Sequence, residues 1–375
     1  MKLLRLEATR YRSLREESIE FSGLDLFIGA NASGKSTVLD ALRFLQEGIQ
    51  TGGFRQPVFS RGGIVHLGWK GEEAQQIELV VSLEDAGKTY EWSVRLVRDG
   101  FDFHLEEHVK EIRPQSPPSE LLDSDRGVGS WWSGEEGAID LKQGPISCAL
   151  AAAAADASFP ARHIAEFVSQ WGFFDPSPFL LRRDWTGLDS GRFDPYGRNL
   201  GETLFGIWKS SPSVLDRIVD ATRSVVGQPL DIEPRESEDR FYFVQKEPGL
   251  KFPVHQMGAS SGTLRMLALM TAVLGETQTN LIGIEEPENY VHPAALSSFV
   301  EYLLDARDRV QFVVTTHSPL LLDFLDEPAA VSVVQRDGVD GTRVVNEKNP
   351  DGVRAALEAS GFRLGEFYET KGFGS

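Results

Sequence analysis

Apolar and polar residues alternate at the start of the chain: Leu4, Leu6 and Ala8 fall on one face, and Arg5, Glu7 and Thr9 on the other. A period of two predicts a strand. Tyr11-Arg12-Ser13-Leu14 reads as a turn into a second strand over 17–21, and the apolar run 24–28 as a third. The pattern then becomes helix-forming over 37–45. Residues 51–63, rich in Gly and Arg, read as a mobile loop. Strands follow at 76–83, 90–97 and 101–106. Asp99-Gly100 is the expected two-residue turn between the last two, since both residues accept positive φ. These three strands predict an antiparallel meander.

Residues 113–146 are rich in Pro, Gly, Ser and acids and read as a surface excursion partly ordered by Trp131 and Trp132. An alanine-rich helix is expected over 148–157, broken at Pro160, with a second over 161–171. Phe173-Phe174-Asp175-Pro176 reads as a short strand ending in a turn, 177–200 as a loop, 201–226 as helices, and 240–245 as a strand. A strongly helical run over 266–274 and two apolar strands, 281–284 and 311–315, complete the pattern. No heptad series spans 100–250, which predicts no long coiled coil.

The 375 residues suffice for about two domains. The expected division is 1–110, an N-terminal lobe with antiparallel strands; 111–250, a helical insertion; and 251–375, a C-terminal part. Lys and Arg total 38 against 56 Asp and Glu, a net charge of −18. Uniform acidity repels nucleic acid, although a local basic patch acts within a Debye length of about 8–10 Å. Arg182, Arg183, Arg192 and Arg198 form a candidate DNA contact, but Asp184, Asp189 and Asp194 interleave with them and make a salt-bridged loop the competing reading. Trp131 and Trp132 either pack under their own loop or offer faces for bases or a partner. The single cysteine, Cys148, excludes a disulfide within the chain and suits a small apolar helical position. A charged N-terminus and the lack of any apolar run long enough to span a bilayer predict a cytoplasmic protein with no membrane contact.

The densest chemical signal is Gly29-Ala30-Asn31-Ala32-Ser33-Gly34-Lys35-Ser36, set between an apolar strand and a helix. Strand, glycine loop and helix is the context of a phosphate-binding loop. Its backbone N–H groups wrap phosphates at the positive end of a helix. Gly29 and Gly34 allow close approach, Lys35 supplies charge to the β- and γ-phosphates, and the Ser36 hydroxyl is a ligand for Mg²⁺. The loop residues Asn31, Ala32 and Ser33, and Thr37 just after it, complete the expected contact set. Leu281-Ile282-Gly283-Ile284-Glu285-Glu286-Pro287-Glu288 is an apolar strand ending in acids. Beside a P-loop this predicts Glu285 as the Mg²⁺ acid and Glu286 as the base that deprotonates water. His317 ends the other apolar strand, where a γ-phosphate sensor sits. Ser260-Ser261-Gly262 opens a helix and forms a second anion-binding start.

These motifs, in this order, resemble an ABC-type ATPase related to the RecF and SMC proteins, and within that group the ATPase half of the OLD (overcoming lysogenization defect) family. Tyr11-Arg12-Ser13-Leu14, Ser260 to Arg265, Gly283 to Asn289, His292-Pro293 and Thr315 to Pro319 carry the likeness. So do Phe173-Phe174-Asp175-Pro176 and Gly197-Arg198-Asn199-Leu200. The resemblance implies an α/β fold: an ABC ATPase head with a mixed P-loop NTPase sheet, an antiparallel β subdomain and a helical lobe. It implies ATP and Mg²⁺ as ligands and a homodimer that sandwiches ATP, with Ser260 and Gly262 reaching the γ-phosphate held by another protomer's P-loop. It further implies His317 as switch histidine, residues 289–293 as a loop carrying signals across the dimer, and Arg12 near the nucleotide, where a plain surface-turn arginine is the alternative.

Two departures stand out. The Mg²⁺ acid is Glu285 where many ABC proteins have aspartate, and no Q-loop glutamine is identified, with neither Gln56 nor Gln170 a convincing match. Few residues follow His317 and they hold no Asp-x-Asp pair, so no Toprim nuclease is expected in this chain. The expectation is therefore an ATP-gated regulator of a separately encoded effector, with a nuclease in anti-phage defence or DNA processing foremost. A transporter ATPase subunit and a RecF-like repair clamp are the competing classes. Co-purification with a membrane protein would mark the first, and DNA-stimulated hydrolysis without a protein partner the second.

Overall fold

The computed structural model describes all residues except 134–136, 184, 187–190, 239, 276–278, 326–329, 339, 347–349 and 372–375. Asp184, Asp189 and the glycine-rich C-terminal end thus lie outside the described residues.

The chain begins with β1 (Lys2–Tyr11), β2 (Leu14–Glu20), β3 (Leu24–Ile28) and α1 (Lys35–Gln50). Alternation holds in β1, but its phase shifts. Leu3, Leu6, Ala8 and Tyr11 are buried, whereas Leu4 is only half-buried. The pairing register slips between Leu3 and Arg5, and Arg10 takes a positive φ of 57°. Each irregularity moves the inward phase by one residue. Residues 51–63 depart from the expected mobile loop, because α2 (Arg55–Ser60) forms there, followed by α3 (Ile64–Leu67). Two anchors fix the segment. Phe54 is fully buried against Phe44, with ring centroids 5.1 Å apart, and Arg61 is held by Asp40 and Glu47 of α1.

Six strands follow in an antiparallel meander: β4 (Gln76–Asp85), β5 (Lys88–Asp99), β6 (Asp102–Ile112), β7 (Ser119–Asp125), β8 (Val128–Ser133) and β9 (Gly137–Lys142). Asp99 pairs with Asp102, so the β5–β6 turn is Gly100-Phe101 and not Asp99-Gly100; only Gly100 has positive φ, at 65°. The surface excursion expected over 113–146 is also corrected, since β7–β9 extend the sheet there. Their inward side rests on few large residues, chiefly Leu122 and Trp131, which hides the alternation in a polar composition. Trp131 packs edge-on against Phe159, while Trp132 is 54% exposed.

α4 (Ala149–Ala153) and α5 (Arg162–Ser169) come next. The start of α4 sits on a carboxylate that is 1% exposed: Glu107 of β6 accepts hydrogen bonds from Ala149 N–H (2.6 Å), Leu150 N–H (2.8 Å) and Trp92 Nε1–H (2.9 Å). Burial pushes the Glu107 carboxyl up, and these donors pull it back. Cys148 caps the same turn, buried as expected of a small apolar residue, and burial raises its thiol. Glu107→Ala leaves three buried donors unpaired and is expected to cost about 3 kcal/mol, read as a lower urea midpoint.

The remaining elements are β10 (Gly172–Phe174), α6 (Pro178–Leu181), β11 (Trp185–Thr186), α7 (Leu200–Ser210), α8 (Pro212–Val226), β12 (Asp231–Ser237), β13 (Arg240–Lys246), β14 (Val254–His255) and α9 (Ser261–Leu274). They continue with β15 (Leu281–Glu285), α10 (Pro293–Ala306), β16 (Gln311–Thr316), α11 (Pro319–Leu322), β17 (Val331–Asp337), β18 (Gly341–Asn346), α12 (Pro350–Ser360) and α13 (Leu364–Lys371).

The chain divides into two compact units. The first comprises Met1–Ser22, Gly29–Trp171 and Ser332–Asn346. Its strands run in the order β17-β18-β2-β1-β4-β5-β6-β7-β8-β9, antiparallel except where β18 meets β2. The second comprises Gly23–Ile28, Gly172–Val331 and Glu347–Ser375. Its parallel strands run β10-β15-β16-β3. β3 and β16 are buried along their whole length, which accounts for their mostly apolar sequences, with Asp25, Gln311, Thr315 and Thr316 as buried polar exceptions. α9 is buried on nearly every side from Leu264 to Val273, so its sequence is apolar round most of the helix, with Arg265 and Thr271 the buried polar exceptions. A separate antiparallel sheet holds β11-β13-β12 with β14 on β13. Among the described residues no helix is long and apolar enough to cross a membrane.

Candidate functional site

In the first unit the P-loop turns through two left-handed positions, Ala32 at φ 62° and Gly34 at φ 111°. A Cβ on Gly34 would fall 2.0 Å from Thr342 Oγ1, and one on Gly29 would fall 2.1 Å from the Val334 carbonyl. The hairpin β17–β18 therefore presses on the loop from some three hundred residues away in sequence, as Thr342 and Ser33 show. Thr342 Oγ1 donates to the Ser33 carbonyl at 2.8 Å and lies 2.8 Å from Ser13 Oγ, which in turn bonds Thr37 Oγ1 at 2.9 Å. Lys35 is 4% exposed, and its Nζ donates to the carbonyls of Gly29 (2.8 Å) and Ala30 (3.0 Å). Ser33 Oγ is buried without a partner, and Ser36 and Asn31 are exposed. α1 starts with no side-chain cap, the arrangement that suits a helix start to an anion.

Arg12, at φ 51°, donates to Asp40 Oδ2 at 2.7 Å. Asp40 also accepts from Arg61 (2.9 Å) and Tyr11 OH (2.8 Å). Burial pushes the Asp40 carboxyl up, but Arg61 and Arg12 outweigh it and hold it below the usual carboxylate range. Burial raises the Tyr11 phenol well above its ordinary value. A depressed carboxylate stabilises the folded state above its unfolded pKa of about 3.9 and loses that contribution as pH falls through the folded value. Asp40→Asn is thus expected to cost about 1–3 kcal/mol near neutral pH. The gap to wild type should narrow below the unfolded pKa, measured by urea unfolding across pH.

The second unit gathers its polar groups where the parallel strands end. Glu285 registers with Thr315, and Thr316 with Ile28, so β15, β16 and β3 finish at one edge. That carboxyl edge is where open α/β sheets bind ligands. Glu286 follows β15 in a left-handed conformation (φ 43°), its N–H donating to the Thr315 carbonyl at 2.9 Å. Asn289 Nδ2 donates to Glu286 Oε2 at 2.8 Å. His317 Nδ1 lies 3.1 Å from Glu288 Oε1 and 3.6 Å from Glu286 Oε1. Glu288 Oε1 also accepts from Thr316 Oγ1 (2.7 Å) and the His317 N–H (2.9 Å), which fixes the histidine beside the glutamate.

Ser260 caps α9, its Oγ accepting from the Thr263 N–H at 3.1 Å. Gly262 lies against the loop that follows Glu286: a Cβ there would meet the Tyr290 carbonyl at 2.8 Å. Arg182, read from sequence as a candidate DNA contact, donates to the Ala259 carbonyl and Ser261 Oγ, both at 3.0 Å. Arg198 pairs with Asp194 at 2.6 Å. Gln56 lies in α2 and Gln170 follows α5.

Gly29, Asn31, Ala32, Ser33, Gly34, Lys35, Ser36, Thr37 and Arg12 thus belong to the first unit, and Ser260, Gly262, Glu285, Glu286 and His317 to the second. Sequence reading missed Ser13, Thr342, Asp40, Arg182 and Asn289 as supports. Of these only Asn289, three residues after Glu286, carries a local signal.

Residues 26–323 match the AAA_21 family, described as "AAA domain, putative AbiEii toxin, Type IV TA system". Over 131 residues the chain is 30% identical to the OLD nuclease of Thermus scotoductus, an alignment taking in 33% of this chain and 24% of that protein. It therefore spans about a quarter of the length of that curated relative. An SMC head bound to the winged-helix domain of ScpA matches with a TM-score of 0.55 at 14% identity, covering 94% of this chain and 100% of that one. An SMC head with an extended coiled coil, bound to the C-terminal domain of ScpA derived from Pyrococcus furiosus, matches with a TM-score of 0.54 at 13% identity, covering 96% and 99%. The chain belongs to the AAA_21 family of P-loop ATPases and has the head fold of the SMC proteins.

Proposed function

We propose that this protein hydrolyses ATP as a cytoplasmic homodimer whose closing and opening licenses a separately encoded effector, a nuclease foremost. In this reading Lys35 and the P-loop hold the phosphates, Glu286 deprotonates the attacking water, and His317 senses the γ-phosphate. Ser260 and Gly262 of one protomer cap the nucleotide held by the other. The observation that carries it is the strand edge: Glu285-Glu286 and His317 end β15 and β16, and β3, in parallel register with β16, runs directly into Gly29. The oxygen donors Ser36 and Glu285 suit Mg²⁺, which when bound would neutralise phosphate charge. The DNA contact gains no support, since Arg182 and Arg198 are engaged within the protein. The family's description with a toxin–antitoxin system and the likeness to an OLD nuclease favour a defence setting with a partner effector.

The test is sedimentation with a non-hydrolysable ATP analogue. Wild type is expected to dimerise only with nucleotide, and Ser260→Arg to stay monomeric. A wild-type monomer at saturating nucleotide would defeat the sandwich.

A further inference from the structure

We propose that Arg265 is a positioning residue for Glu286, clamping the turn that carries its carboxylate and tying that turn to the serine-capped helix. The inference rests on the reading of Glu286 as the base in ATP hydrolysis. Arg265 lies on α9 and is 1% exposed. Its Nη2 donates to the carbonyls of Glu285 (2.8 Å) and Glu286 (2.9 Å), and both Nη atoms reach Asp175 Oδ1 at 3.1 Å. Nη1 also donates to the Pro176 carbonyl. One guanidinium therefore gathers the chain leaving β10 and the chain leaving β15.

The backbone it holds is strained. A left-handed conformation at a non-glycine residue such as Glu286 persists only where its surroundings over-determine it. Arg265 bonds the carbonyl on each side of that residue's N–H. A planar fork with several donors meets those carbonyls and a carboxylate together, whereas an ammonium on a flexible stem does not. The same side chain stands just beyond the first turn of α9, and Gly262 packs on the Tyr290 carbonyl in the loop after Glu286. The helix start that caps a phosphate is thus mechanically joined to the turn that aims the base. A shift of that helix moves Glu286, and misplacement of a reacting group by about 1 Å costs up to about a hundredfold in rate.

The test compares full-length Arg265→Lys, Arg265→Ala and Asp175→Asn with wild type and Glu286→Gln. ATP affinity is read with a fluorescent ATP analogue, turnover by phosphate release, and folding by thermal unfolding. Arg265→Lys is expected to lower kcat roughly ten- to hundredfold while ATP affinity stays near wild type. Millimolar guanidinium should restore part of the kcat of Arg265→Ala. Asp175→Asn, at a half-exposed position, keeps the fold under either outcome and should lower kcat by a smaller factor without moving KM. A wild-type kcat in Arg265→Lys or Asp175→Asn overturns the proposal. So does a parallel fall of kcat, affinity and thermal midpoint, which marks packing alone. A wild type without ATPase activity, or Glu286→Gln turning over at the wild-type rate, defeats the underlying reading instead.

Discussion

Glu286→Gln is expected to cut ATP hydrolysis by about 10²–10⁴-fold and leave ATP binding intact. The substitution keeps the size of the side chain and an oxygen to accept from Asn289 Nδ2, so the local geometry survives. It removes the proton acceptor and nothing else that contacts the loop. The Glu286 carbonyl still accepts from Arg265, and His317 remains anchored by Glu288, the nearer of its two carboxylates at 3.1 Å against 3.6 Å. In the proposed cycle binding and closure do not need the base, so the variant should accumulate as an ATP-loaded dimer where wild type would turn over and reopen. Phosphate release and sedimentation with ATP check both halves. Hydrolysis at the wild-type rate would remove Glu286 from its role, whatever the dimer does.

The parts of this site that were readable in sequence share a physical reason: each is a local pattern. A P-loop needs its residues adjacent, and a buried parallel strand ending in acids shows both its apolar run and its polar end within ten residues. Ser260 was readable because a helix cap acts on the turn that follows it. The supports were not readable, because their partners lie far away in the chain. Thr342 matters through the Ser33 carbonyl, Arg182 through Ala259, and Arg265 through Asp175 and the β15 carbonyls. None of these side chains differs in composition or periodicity from a surface residue of the same type.

The fold was legible to a similar depth. β3, β15 and β16 were found because burial on both faces makes their runs mostly apolar, broken inside β3 by the single Asp25. β7–β9 were missed because an antiparallel strand with one solvated face needs only alternate apolar residues, and here several of those places hold Ser or Gly. The turn at Gly100-Phe101 was misplaced by one residue because Asp99 is a good turn former. Pairing with Asp102 decided the register, and Phe101, 94% exposed, took a place that its hydrophobicity argues against. The same limit explains Leu4, where a shift in pairing outranked the sequence period.

Lys35→Ala is expected to weaken ATP binding by about a hundredfold, the largest binding loss at any single P-loop position. Lys35 is buried, and its ammonium rests on the carbonyls of Gly29 and Ala30, so the charge is held inside the loop. Charge-assisted hydrogen bonds are worth about 1.5–3 kcal/mol each, and the ammonium can exchange its carbonyl partners for phosphate oxygens without leaving its place. Alanine removes the charge but keeps helix propensity at the first residue of α1. Folding stability should therefore change little while affinity, measured by isothermal titration, collapses. The pair of variants then separates the two halves of the reaction. On the proposed mechanism Glu286→Gln should bind ATP and dimerise without turning over, whereas Lys35→Ala should neither bind nor dimerise at ATP concentrations that saturate wild type. Wild-type affinity in a folded Lys35→Ala protein would mean that the glycine loop holds something other than the terminal phosphates.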